Sequence, residues 1–135
     1  MQIVIFGLQI SMNNLKDNKM TKKIYYLGTC STCIRIMKEL QLPKSFIQQD
    51  IKVDKITEAQ IKEMKELAGS YEYLFSRKAM KYRAMGLNEK TLSEKDYKNL
   101  ILEEYTFLKR PVIIIGEKIF IGNSKSVIEE AKKHI

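Results

Sequence analysis

The residues most able to carry chemistry are two cysteines, Cys30 and Cys33, which are separated by two residues in the segment TCSTC. This spacing is typical of reversible thiol–disulfide exchange or of half a zinc site, and the simplest alternative is a pair of inert buried thiols. A zinc site needs further cysteine or histidine ligands, and the only histidine, His134, lies near the C-terminus. The pattern therefore favours redox chemistry and no metal site.

The segment around the cysteines has the pattern of a strand, a tight loop and a helix. Residues 23–28 (KIYYLG) form a β-rich run that ends in glycine. Apolar residues then follow at helical spacing: Ile34, Met37 and Leu40. This places Cys30 at the start of the helix, where unpaired backbone N–H groups and the helix dipole favour a thiolate. Cys30 is the candidate nucleophile, and Cys33, one turn further on, is the candidate resolving thiol.

The remaining pattern predicts an α/β domain. Residues 46–51 (FIQQDI) indicate a second strand, so the chain opens as β-α-β with a parallel pairing. Three helical segments are predicted next: one between Thr57 and Gly69, one over 74–86 that ends at Gly86, and one over 92–105 capped by Ser93. A hairpin of strands over 112–115 and 119–121 and a helix capped by Ser124 complete a β-β-α half.

Length and composition indicate one globular domain. The 135 residues show no internal repeat or linker, and 24 Lys and Arg against 16 Asp and Glu give a net charge of +8. Such a charge favours anionic partners without choosing among oxyanions, nucleic acids and acidic protein surfaces. Two cysteines are too few for a disulfide scaffold, which favours a reducing, cytoplasmic compartment.

The N-terminal segment differs from the rest of the chain. Its apolar run within MQIVIFGLQI is shorter than the ~18 residues of a membrane span, and it lacks the features of a secretory signal. Strong patterning begins only after Met20. We therefore interpret residues 1–19 as a dispensable extension that precedes a domain over 20–135, and we expect no membrane association.

Five segments, in their order and spacing, carry a family resemblance: KIYYLGTCSTC (23–33), LFSR (74–77), LSEKD (92–96), KRPVIII (109–115) and IGNS (121–124). Together they resemble the arsenate reductase (ArsC) and Spx group of thioredoxin-fold proteins, over residues 23–135. The resemblance implies a thioredoxin-like, four-stranded mixed sheet with a helical insertion, at about 57–105, between the β-α-β and β-β-α halves.

The resemblance also implies roles for further residues. In that family the first cysteine is the nucleophile, and two arginines that correspond to Arg77 and Arg110 line an oxyanion pocket. The proline that corresponds to Pro111 follows a cis peptide bond beside the reactive thiol. Guanidinium groups suit such a pocket because they bind tetrahedral oxyanions through paired hydrogen bonds. Each arginine has an alternative as a solvated surface charge, and the basic run over 77–83 as a solvated helix face.

The chain departs from the pattern of the arsenate-reducing members in three segments. Tyr26 stands where those enzymes have a histidine, Cys33 and Ile34 stand where they have Ser-Arg, and Asn123 lies nearest to the place of a third arginine. Fewer cations at the site weaken anion binding, whereas the second cysteine favours an internal disulfide.

The resemblance thus implies a thiol-dependent oxidoreductase without a bound cofactor. Cys30 attacks an oxyanion or disulfide substrate, and Cys33 or an external thiol, such as glutathione or glutaredoxin, resolves the product. The alternative is an Spx-like redox-sensing regulator, whose cysteine pair controls binding to the RNA polymerase alpha subunit without direct contact with nucleic acid. A third possibility is a relative without arsenate activity that binds glutathione and reduces small thiol adducts.

Overall fold

The computed structural model describes residues 21–135, so the expected extension over 1–19 lies outside the described residues. Within this described part, no helix has the length and apolar character needed to cross a membrane.

A four-stranded mixed sheet forms the centre of the fold. Its strands are β1 (Lys22–Tyr26), β2 (Ile47–Asp50), β3 (Val112–Ile115) and β4 (Lys118–Ile121), in the spatial order β2-β1-β3-β4. β1 pairs with β2 in parallel, whereas β1–β3 and β3–β4 are antiparallel. The predicted α/β class and the predicted thioredoxin-like mixed sheet are confirmed.

Two helices cover one face of this sheet. α1 (Ser31–Leu40) is the crossover between β1 and β2, and α6 (Lys125–Lys132) follows β4 and is capped by the Ser124 side chain, as predicted. Their inward residues form one apolar cluster with the sheet: Ile24, Ile36, Leu40, Phe46, Ile113, Ile128 and Ala131. Burial of these side chains fixes α1, and therefore its N-terminus, against β1.

The helical insertion covers the opposite face. It contains α2 (Glu58–Ala68), α3 (Tyr71–Leu74), α4 (Met80–Ala84) and α5 (Glu94–Glu103), with 3₁₀ turns at Leu87–Glu89 and Tyr105–Phe107. Reciprocal capping boxes begin α2 at Thr57 and α5 at Ser93. The predicted cap at Ser93 is confirmed. The larger of the two cores lies between these helices and the sheet.

The single helix predicted over 74–86 is present only at Met80–Ala84, shortly before Gly86, and the prediction is wrong over 74–79. α3 ends at Leu74, the chain is extended at Phe75, and helix resumes only at Met80. Phe75 forms an isolated antiparallel bridge with Leu108. Its side chain is fully buried and stacks on the ring of Phe107 with 4.9 Å between centroids.

Two backbone hydrogen bonds flank this Phe75–Leu108 bridge. Ser76 N–H donates to the carbonyl of Phe107 at 2.7 Å, and Lys109 N–H donates to the carbonyl of Leu74 at 2.8 Å. Burial of Phe75 and these long-range bonds outweigh the local helical pattern of the segment. The bridge also carries the segments LFSR and KRP to the same edge of the molecule.

Candidate active site

Cys30 occupies the N-cap position of α1. Its backbone is extended (φ −94°, ψ 112°), its N–H donates to the carbonyl of Leu27 at 2.9 Å, and its carbonyl accepts from Ile34 N–H at 3.2 Å. The Cys30 side chain is half-buried, whereas Cys33 is fully buried one turn further along. The first N–H groups of α1 have no acceptor within the helix, so they are available to the Cys30 sulfur.

The pKa values of the two thiols are shifted in opposite directions. Burial raises the pKa of Cys30, but the N–H groups of Cys33 and Thr32, a hydrogen bond from the Cys33 thiol and the charge of Arg110 together bring this pKa below its ordinary value. Burial raises the pKa of Cys33 to about 11, and the neighbouring charge of Cys30 adds to that rise. The first proton to leave the pair therefore leaves Cys30.

A cavity of about 450 Å³ opens beside Cys30. It is lined by Cys30, Phe75, Ser76, Arg77, Lys78, Lys109, Arg110, Ile121, Gly122, Asn123 and Ser124. The structure thus brings together three of the predicted site residues, Cys30, Arg77 and Arg110. The other two, Cys33 and Pro111, are buried and do not line the cavity.

Arg110 is held by backbone carbonyls. Its Nη1 donates to the carbonyl oxygens of Thr106 at 3.3 Å and Leu108 at 3.2 Å. Its buried Nε has no hydrogen-bond partner among the described residues. The Arg110–Pro111 peptide bond is cis, as the resemblance implies, and the Pro111 carbonyl accepts from Gly122 N–H at 2.9 Å. Arg110 therefore presents a positive charge, and an unused donor, beside the thiols.

Arg77 is held by side chains. Its Nη2 donates to Glu72 Oε2 at 2.8 Å and to the hydroxyl of Tyr97 at 2.9 Å, and its guanidinium lies 5.7 Å from the centroid of the Tyr97 ring. The ion pair with Glu72 is the main reason that the pKa of Arg77 is raised. Glu72 thus offsets part of the charge that Arg77 brings to the cavity.

Two lysines of the cavity were not predicted as site residues. Lys78 directly follows Arg77, and Lys109 directly precedes Arg110, so both adjoin the arginines that the sequence singles out. The only sequence signal for them was this adjacency within basic segments. Asn123, at the place of the absent arginine, also lines the cavity.

The described residues provide sulfur nucleophiles and cations but no metal cage. Within 21–135, no group of three or more His, Cys, Asp or Glu side chains is arranged to hold a metal ion. The arrangement can form a thiolate at Cys30 and bind an anion next to it.

This fold and site define a thioredoxin-fold protein with a C-x-x-C motif at the start of its first helix. A family model, that of the ArsC family, matches residues 25–131. The chain belongs to the ArsC family, so the predicted family is confirmed.

Individual relatives are consistent with this assignment. The uncharacterized protein YusI of Bacillus subtilis is 28% identical over 115 residues, which cover 82% of this chain and 98% of YusI. The crystal structure of a possible arsenate reductase from Streptococcus mutans has a TM-score of 0.64 and 25% identity, over 83% of this chain and 98% of that one. An ArsC family related protein from Bacteroides fragilis shares the fold, with a TM-score of 0.69 and 21% identity over 87% and 99% of the two chains.

Proposed function

We propose that the protein is a thiol-dependent oxidoreductase in which Cys30 is the nucleophile. The observation that carries this proposal is the contrast between two thiols one helical turn apart. Cys30 is half-buried and has a lowered pKa, whereas Cys33 is fully buried and has a raised pKa. In such a pair the outer sulfur carries the thiolate, and the inner sulfur stays protonated until it acts as the resolving thiol.

A disulfide substrate would react in two exchange steps. The Cys30 thiolate attacks one sulfur of the substrate, the substrate S–S bond breaks, and the other sulfur leaves as a thiolate. Cys33 then loses its proton and attacks the Cys30 sulfur, which releases the second substrate thiol. Two electrons reach the substrate, and a Cys30–Cys33 disulfide remains. An external thiol, such as glutathione or glutaredoxin, restores the dithiol by two further exchanges.

An oxyanion such as arsenate would enter the same cycle. The Cys30 sulfur bonds to arsenic as one oxygen leaves as water, and a thiol then attacks that sulfur, so that arsenic keeps the electron pair of the broken bond. Arg77 and Arg110 are the candidate ligands for the oxygens, because both line the cavity beside Cys30. Tyr26 and Asn123 supply no cation, so we expect arsenate turnover to be weak.

The order in which the two thiols react tests the proposal. Sub-stoichiometric iodoacetamide at neutral pH is expected to alkylate Cys30, and peptide mass spectrometry locates the label. The Cys33→Ser variant should retain this first alkylation. The Cys30→Ser variant should lose both the alkylation and the ability to reduce a mixed disulfide. Arsenate reduction with glutathione and glutaredoxin is measured alongside. Preferential labelling of Cys33, or two free thiols after mild oxidation, would contradict the proposal.

The Spx-like alternative depends on the same pair of thiols, because closure of the Cys30–Cys33 disulfide would be its switch. It is distinguished by partner capture. A regulator should retain the RNA polymerase alpha subunit from lysate under only one redox condition, whereas an oxidoreductase should retain redox partners through Cys30 in a Cys33→Ser variant. Both functions suit a reducing compartment, so we propose the cytoplasm as the location.

A further inference from the structure

Three of the four cations that line the cavity, Arg110, Lys109 and Arg77, fall into two groups. The charge of Arg110 acts on both thiols, Cys30 and Cys33. Lys109 interacts instead with Arg77 and Glu72, because its backbone N–H pairs with the carbonyl of Leu74 at the end of α3. The cavity therefore has a positive region away from the reacting sulfur as well as one beside it.

Lys109 lacks a carboxylate of its own. Its Nζ lies 4.7 Å from the centroid of the Tyr73 ring, and within residues 21–135 no carboxylate oxygen comes within 4.0 Å of it. The nearby carboxylate, Glu72, pairs with Arg77 at 2.8 Å. Burial, followed by the charge of Arg77, lowers the pKa of Lys109. Two cations thus share one carboxylate, and an added anion would relieve their repulsion.

The size of the cavity exceeds what an inorganic oxyanion requires. Its volume of about 450 Å³ lies within the range of sites that hold organic ligands. A water molecule takes ~30 Å³, so an oxyanion with the bulk of a few waters would leave most of the space unfilled. Ile121, which is 8% exposed, adds an apolar surface suited to the carbon skeleton of a larger substrate.

We propose that Lys109, seated on Tyr73 beside Arg77, binds a carboxylate of an organic thiol or disulfide whose sulfur reacts at Cys30. The inference rests on the proposed function and deepens it by naming the substrate class. Tyr73 orients the Lys109 ammonium through a cation–π contact, and Ile121 offers the substrate skeleton an apolar contact. Lys109 is then the residue that discriminates a carboxylate-bearing substrate from a neutral one.

Two aromatic disulfides test this discrimination. Dithiobis(nitrobenzoate) carries a carboxylate on each ring, and dithiodipyridine is neutral. Each reacts with a thiolate to form a mixed disulfide and release a coloured aryl thiol, so the second-order rate constant is read by stopped-flow absorbance. The variants are Lys109→Met, which removes the charge, and Lys109→Arg, which keeps it. Lys62→Met, at an exposed position of α2, is the control for the loss of one positive charge elsewhere.

The proposal expects a selective loss. Lys109→Met should slow the reaction with dithiobis(nitrobenzoate) about five- to tenfold, as for one partly exposed charge-assisted contact, and the reaction with dithiodipyridine less than about twofold. Lys109→Arg should restore the first rate, and Lys62→Met should change neither rate by more than about twofold.

Two results would overturn the inference without touching the proposed function: equal slowing of both reagents in Lys109→Met, or a Lys62→Met loss as large as that of Lys109→Met. A different result, failure of dithiodipyridine to label Cys30 in the unmodified protein, would overturn the proposed function itself and with it the substrate role of Lys109.

Discussion

Arg110 and Arg77 reach the same cavity by opposite means. Arg110 donates to the backbone carbonyls of Thr106 and Leu108, which are neutral dipoles. Arg77 is fixed by the carboxylate of Glu72 and by Tyr97. Neutral dipoles orient a guanidinium without cancelling its charge, whereas a carboxylate orients it and offsets the charge.

The difference suits the two arginines to two different tasks, which are to make the thiol more acidic and to bind an anion. Arg110 has no carboxylate partner among the described residues, and its charge adds to the hydrogen bonds that lower the pKa of Cys30. Arg77, whose side chain is 47% exposed, gains a fixed position from Glu72, but an incoming anion must share it with that carboxylate. We therefore expect Arg110 to contribute to the acidity of Cys30, and we expect Glu72 to modulate anion binding by Arg77.

The largest expected effect is that of Arg110→Met on thiol reactivity. The N–H groups of Cys33 and Thr32 and the Cys33 thiol lower the pKa of Cys30, and the charge of Arg110 adds to this lowering. Removal of that charge therefore raises the pKa and reduces the thiolate fraction. The pH profile of iodoacetamide alkylation should move to higher pH, with a lower rate at neutral pH. Arg110→Lys, which keeps a charge, should shift less. Coincident profiles for Arg110→Met and the unmodified protein would break the comparison.

An intermediate effect is expected for Glu72→Gln. This variant frees Arg77 of its carboxylate, so inorganic phosphate should protect Cys30 from alkylation at a concentration about three- to fivefold lower, as for a surface ion pair. Arg77→Met should change protection in the opposite direction. Glu66→Gln, at an exposed position of α2, removes one negative charge elsewhere and is the control. Equal gains for Glu72→Gln and Glu66→Gln would show that net charge alone is responsible.

The smallest effect is expected for Tyr97→Phe. The change removes the hydroxyl that accepts from Arg77 but keeps the ring under the guanidinium and beside Phe75, 5.0 Å away. The free energy of unfolding should fall by about 0.5–1.5 kcal/mol, measured in urea, with the alkylation profile of Cys30 unchanged. Tyr97→Leu should cost more, because it also removes aromatic packing. A shifted Cys30 profile in Tyr97→Phe would show that Arg77 acts on the thiol after all.

The thiol loop was predictable because its determinants are local. A β-rich run, a glycine and helical spacing place Cys30 at a helix start, and the structure has it at the N-cap. The caps at Thr57 and Ser93 also depend on no more than four consecutive residues each, and both are present. Hydrogen bonds between near neighbours leave a pattern that a single sequence can show.

The basic wall of the cavity was less predictable because pairing between distant segments sets it. Local spacing at 74–86 favoured a helix, yet Phe75 is extended and bridges to Leu108. The family resemblance identified Arg77 and Arg110 as pocket residues, but only this bridge places Lys109 beside Tyr73. The residue pattern within either segment alone does not indicate a contact between the two segments.

The Phe75–Leu108 bridge also supplies a built-in reporter of the cavity. The amide protons of Ser76 and Lys109 are bonded across it, to Phe107 and Leu74. Either proton can exchange with deuterated solvent only when the bridge opens, and that opening draws Arg77 away from Arg110. Slow exchange at the same rate for both amides would mean that the cavity is formed before substrate arrives. Exchange faster than that of the β3 amides would give the rate at which the bridge opens.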